Sequence, residues 1–133
     1  MRYRAASPRA PMTVVLWILQ AVLAAVFLGV GTLKLIKPKE ALLGQMGALE
    51  AYRPLTIKAL GLAEVLGGLG LVAAPLVGWA AMVPWAALGL GCVALGAAVA
   101  HAEQRDYKPL PAHAVLLAMA VAVMVGRSAD LPL

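Results

Sequence analysis

Between Glu64 and His101 the chain reads VLGGLGLVAAPLVGWAAMVPWAALGLGCVALGAAVA, the 36 residues from Val65 to Ala100, without one charged, amide or hydroxyl side chain. A bilayer core about 30 Å thick takes roughly 20 apolar residues per helix, so this run is too long for one span and suits two. Pro75-Leu-Val-Gly78 lies near its middle, and proline and glycine both stop helices. The run therefore predicts two membrane helices joined by a tight turn, with Glu64 and His101 on the same membrane face.

Working outward, Pro11 to Leu33 is interrupted only by Thr13, Gln20 and Thr32. Arg2, Arg4 and Arg9 precede it, as in a secretory signal, but an h-region of about 7–15 residues is shorter than this stretch. A retained helix is expected from about Met12 to Ile36. The second is expected over about Leu55 to Ala74, and the third over about Trp79 to Ala102. Pro84 either kinks the third or sits in its first turn, where its missing N–H costs little. The fourth, about Pro111 to Arg127, only just spans. Trp79 and Trp85 suit an interfacial aromatic belt.

Composition agrees. The chain of 133 residues is 63% hydrophobic and 13% charged, against about 25% charged in soluble domains. The fold class expected is all-α, a single integral-membrane four-helix bundle covering residues 1–133. Lys37 to Tyr52 carries Leu42, Met46 and Leu49 at helical spacing, which predicts a short interfacial amphipathic helix between helices one and two. Gly44 and Gly47 weaken that helix. Gly61, Gly67, Gly68 and Gly70, with Gly89, Gly91 and Gly96, let membrane helices pack closely and favour a tight bundle over a wide pore.

The net charge of +5 comes from basic residues in tails and short connections. There anionic lipid headgroups are the natural partner, and nucleic acid is not expected. Arg2, Arg4, Arg9 and Arg127 belong to one face, and Lys34, Lys37, Lys39, Arg53, Lys58, Arg105 and Lys108 to the other. Counting places the second face in the cytoplasm, whereas the basic flank of the first helix argues the reverse. One cysteine, Cys92, excludes an intrachain disulfide and a Cys-x-x-Cys motif. It is expected to be a small buried residue.

Threading four antiparallel helices brings Lys34, Glu64 and His101 to one face. Glu64 sits roughly 12 Å inside its helix at 1.5 Å per residue. Its helical neighbours Leu60, Gly61, Gly68 and Leu71 suggest that it faces the bundle. A lipid-facing anion costs about 2.5–3.5 kcal/mol on insertion scales, and pairing relieves that cost. A buried Lys34–Glu64–His101 cluster is therefore expected, serving as a structural clamp or as a polar pocket for a headgroup, quinone or proton. His113 is read as interfacial, Gln20 as an interhelical hydrogen bond and Arg127 as an interfacial anchor. His101, His113 and Glu64 lack metal-ligand spacing, so no metal is expected. No hydrolase triad, P-loop or dinucleotide fingerprint occurs.

The stretch VFLGVGTLKL, containing Lys34, and GLAEVLGGLGL, containing Glu64, resemble the DoxX-like membrane protein family. So do GAAVAH ending at His101 and Gly126-Arg127. The resemblance implies a four-helix membrane fold with Lys34, Glu64 and His101 at the family's polar positions. It also implies one of two roles. Some members are described as small subunits of thiosulfate:quinone oxidoreductase or as membrane partners of redox enzymes, while distant animal relatives act as assembly chaperones. The leading expectation is a membrane subunit in a bacterial inner membrane. It would serve a quinone-linked or redox partner through the polar cluster, with a quinone as the cofactor to look for. Membrane lipids, a membrane or peripheral redox protein and a second copy of the chain are the expected partners. The alternatives are an assembly protein without a ligand and a small proton-coupled exporter. The exporter class usually carries its carboxylate in helix one, where this chain has none.

Overall fold

The computed structural model describes residues 10–130, so Arg2, Arg4 and Arg9 lie outside the described residues. Four long helices follow the hydrophobic pattern: α1 (Ala10–Ile36), α3 (Pro54–Leu76), α4 (Met82–Glu103) and α5 (Leu110–Ser128). All four are long and apolar enough to cross a membrane. A short helix α2 (Lys39–Leu43) and a 3₁₀ turn (Gly47–Ala51) connect α1 to α3. The most extensive contacts are α1 on α3 and α4 on α5, and α3 against α4 and α1 against α5 close the ring. Short connections from α3 to α4 and from α4 to α5, and the longer one carrying α2 and the 3₁₀ turn, join antiparallel neighbours in up-down-up-down order.

The distribution of side chains inverts that of a soluble protein. Gln20, Lys34 and Glu64 are buried, whereas Ile18, Leu66, Leu95 and Val121 are exposed. In lipid an exposed leucine costs nothing, and a polar group is best hidden among helices. Leu23, Phe27, Leu71, Val83, Ala87, Leu90 and Val123 fill the middle of the bundle. Cys92 corrects the expectation of burial. It is exposed, in an outward groove between α4 and α5 beside Leu88, Leu95 and Val121, where a thiol meets lipid as an apolar group would.

Small residues set the helix distances. A Cβ on Gly31 would lie 2.7 Å from the Gly61 carbonyl oxygen, and one on Gly61 would lie 2.8 Å from that of Gly31. The α1 and α3 backbones therefore meet at these two glycines. Further along α3, Gly67 admits Leu90, Gly68 admits Leu28 and Gly70 admits Ala86.

Pro75 lies inside the last turn of α3 rather than ending it, and the helix runs on to Leu76. A proline in a helix deprives the carbonyl four residues back of its donor. Here that carbonyl belongs to Leu71, and the fully buried Gln20 Nε2 of α1 donates to it at 2.6 Å. The turn that follows has Gly78 at φ 89°. Trp79 N–H donates to Ala74 O at 2.8 Å, and Gly78 N–H to Pro75 O at 3.3 Å. This is a Schellman cap with glycine in the left-handed position. Pro84 sits in the first turn of α4, where it is tolerated.

Gln20→Leu is expected to cost about 1–3 kcal/mol, because Leu71 O is then buried without a donor. Adding Pro75→Ala restores an N–H for that carbonyl. The double variant should recover part of the loss in a thermal unfolding comparison in detergent.

The α1–α3 connection differs from the expected single amphipathic helix. It breaks at Gly44–Met46 into α2 and the 3₁₀ turn, as two low-propensity glycines allow. Leu42 and Leu49 do not face lipid. They pack with Ile57, and Leu33, Leu43, Met46 and Tyr52 surround them. The segment is a lid over the Lys34 end of the bundle. Lys39 Nζ fastens it by donating to Glu50 O at 2.9 Å and Tyr52 O at 2.7 Å. Gln104 Nε2 ties it to α4 through Ala48 O at 3.0 Å.

Candidate functional site

Beneath this lid Lys34 Nζ donates to Glu64 Oε1 at 2.6 Å, and the two side chains are 9% and 2% exposed. The glycine crossing brings them together. A Cβ on Gly31 would lie 2.9 Å from Glu64 Cβ, and one on Gly61 2.8 Å from Lys34 Cβ. The two backbones thus approach where the two charged side chains leave them. Lys34 is in the last turn of α1, where a cation also suits the helix dipole. Lys58 takes over the capping of that terminus. Its Nζ donates to Lys34 O, Leu35 O and Lys37 O at 2.8, 2.9 and 2.7 Å. All three ammonium hydrogens of Lys58 are thereby engaged, and Lys34 remains available to Glu64.

The pair is incompletely satisfied. Glu64 Oε2 is buried and has no hydrogen-bond partner among the described residues. A carboxylate inside a bundle ordinarily fills its lone pairs, so an open acceptor there is unusual. It can accept a proton, or a hydrogen bond from a ligand or water.

His101 closes α4 on the same face, but its Nδ1 is 3.1 Å from Asp106 Oδ2. The α4 terminus explains that pairing. Arg105 adopts φ 56°, Asp106 N–H donates to His101 O at 3.0 Å, and Arg105 N–H donates to Ala102 O at 3.0 Å. This second Schellman cap folds Asp106 back onto the residue five positions earlier. The His101 ring also lies 5.2 Å from the His113 ring, tilted by 32°. His113 Nδ1 is buried without a partner. Two groups therefore occupy this end of the bundle: a Lys34–Glu64 ion pair between α1 and α3, and a His101–Asp106 pair with His113 between α4 and α5.

The DoxX-like family matches residues 18–123 of the chain. The chain belongs to the DoxX-like family. No curated protein and no solved structure matches it. The family match encloses Lys34, Glu64 and His101, and it ends before Gly126-Arg127. Membership and the four apolar helices together make this a small multi-pass membrane protein.

Of the DoxX-like polar residues singled out in the sequence, the fold joins Lys34 to Glu64 and gives His101 other partners. Asp106 was missed because no glycine marks the turn that brings it back. His113 belongs beside His101 as well as near the interface. Among the described residues no group of three His, Cys, Asp or Glu could hold a metal ion. Gln20 makes the expected interhelical hydrogen bond, and Arg127 does more than anchor: its Nε donates to Gln20 Oε1 at 2.6 Å.

Proposed function

We propose that this DoxX-like protein is a membrane subunit, non-catalytic or weakly catalytic, that serves a quinone-linked or other redox partner at the lidded end of its bundle. The observation that carries the proposal is the open Glu64 Oε2 beside Lys34, inside an apolar bundle and on the same face as His101. A buried ion pair alone is weak support for stability, whereas ionisable groups within a membrane are functional candidates by default. A carboxylate with one free oxygen, next to an ammonium, can take up or deliver the proton that accompanies quinone reduction or oxidation. It can equally hydrogen-bond a partner's inserted group. The redox link itself rests on the family resemblance, as does placement in a bacterial inner membrane. Membrane lipids, a membrane or peripheral redox protein and self-association are the partners proposed.

A second reading has its own observation. The tight Gly31–Gly61 crossing and the lid enclose the Lys34–Glu64 pair, as a clamp holding α1 against α3 would require. On that reading the protein is an assembly factor without a small-molecule ligand.

Purification in mild detergent, followed by solvent extraction and mass spectrometry of lipids and co-purifying proteins, separates the two. Retained quinone, or a retained redox enzyme, is expected for the wild type and should be diminished in Glu64→Gln, which keeps the shape but not the charge. A clamp alone should tolerate Glu64→Gln with its partners unchanged.

A further inference from the structure

At the opposite end of the bundle Arg127 is engaged on three sides. Its Nε donates to Gln20 Oε1 at 2.6 Å. Its Nη1 is 3.3 Å from Asp130 Oδ2, and its guanidinium carbon lies 5.4 Å from the centre of the Trp17 ring. Nη2 is buried and has no partner among the described residues. A buried guanidinium nitrogen without an acceptor is costly, because hydrogen bonds to charged groups are the strong ones.

The same guanidinium borders a cavity of about 250 Å³ lined also by Trp17, Gln20, Pro75, Ala80 and Asp130, against about 30 Å³ for a water molecule in the liquid. Its position is set by helix ends: the last turn of α3, the turn before α4 and the end of α5. α1, with 27 residues, reaches past them and brings Trp17 level. Such ends lie at headgroup depth, where phosphates are concentrated. The planar guanidinium is fixed by Gln20 and by the ring beneath it, and arginine so fixed is suited to phosphate oxygens. Asp130 opposes an anion, but its side chain is 42% exposed and its contact is the longest of the three polar contacts at the site.

We propose that this cavity binds a phosphate group at the membrane surface, with the Arg127 guanidinium donating to a phosphate oxygen. The group is carried by an anionic phospholipid or is the free ion. This site is separate from the lidded end, and its failure would leave the proposed function untouched.

Trp17 reports on it directly. In a Trp79→Phe, Trp85→Phe background it is the sole tryptophan of the chain's three. The protein is held in a maltoside detergent, which carries no phosphate. It is titrated with dihexanoylphosphatidylglycerol and, separately, with inorganic phosphate. A saturable change in Trp17 emission is expected. Arg127→Gln should weaken it about tenfold or more, the scale of one charge-assisted hydrogen bond. Asp130→Asn should tighten it by removing the competing carboxylate. Ala80→Leu fills the cavity, leaves the Arg127–Gln20 bond in place and should abolish it, so the test does not depend on Arg127→Gln folding. Saturation by the lipid alone identifies a headgroup site, and saturation by inorganic phosphate with the same Arg127 dependence identifies a free-anion site. A titration that does not saturate, or that Arg127→Gln and Ala80→Leu leave unchanged, overturns the proposal.

Discussion

Glu64→Ala is expected to destabilise the bundle by about 3–5 kcal/mol, the usual cost of removing one member of a buried ion pair. The lost attraction is the smaller part. Lys34, at 9% side-chain exposure, would be left as a buried ammonium, because the lid built on Leu42, Leu49 and Ile57 covers this end of the bundle. The nearest relief is snorkelling of its aliphatic stem toward the interface, which must first open the lid. The loss should therefore appear both as a lower thermal midpoint in detergent and as faster proteolysis between Gly44 and Gly47. Lys34→Ala is expected to behave alike, with Glu64 uncompensated. Unchanged stability in both would mean that the two groups reach water.

Gly61→Leu should be of similar severity for a different reason. A Cβ at this position already meets the Gly31 carbonyl oxygen and Lys34 Cβ at 2.8 Å. Neither is the flexible tip of a side chain, so α1 and α3 must separate. Overpacking of this kind costs about 1–3 kcal/mol and sometimes more. Separation would also stretch the 2.6 Å Lys34–Glu64 bond, adding part of the cost of breaking the pair. Gly29, in the same α1 helix, has nothing within 4 Å of its ideal Cβ. Gly29→Leu should leave stability unchanged or raise it slightly, as replacing a helical glycine ordinarily does. Thermal midpoints of the two variants in one detergent check the contrast.

These two predictions rest on features of unequal visibility in the sequence. The spans were legible to within a few residues, because lipid selects directly for uninterrupted apolar length. The Lys34–Glu64 pair was legible because an isolated carboxylate and an isolated ammonium end on one face of an antiparallel bundle. The end of α3 falls two residues beyond the expected Ala74 because Pro75 is satisfied from another helix. The hydrogen bond that makes it tolerable comes from Gln20, 51 residues away from Leu71. The partner of His101 was hidden because Arg105, not glycine, takes the left-handed position that returns Asp106. The lid was half legible. The spacing of Leu42, Met46 and Leu49 marks an apolar face, but spacing does not say whether lipid or Ile57 meets it. Cys92 shows the same ambiguity, since in a membrane helix an apolar residue suits the inner and outer faces equally.

The stability and the proposed role of the Lys34–Glu64 pair can be separated by replacing both members. In Lys34→Met, Glu64→Leu the charges disappear together. Exchange of a buried ion pair for apolar side chains of similar size is often neutral or stabilising, so the double variant should regain the thermal midpoint that Glu64→Ala loses. The decisive measurement is the quinone and protein content retained by this variant and by the wild type when both are purified side by side from native membranes. The expected result is a folded bundle that has lost the quinone or redox enzyme held by the wild type. A double variant that keeps the wild-type complement of both would contradict a functional role for the pair and leave it a clamp between α1 and α3.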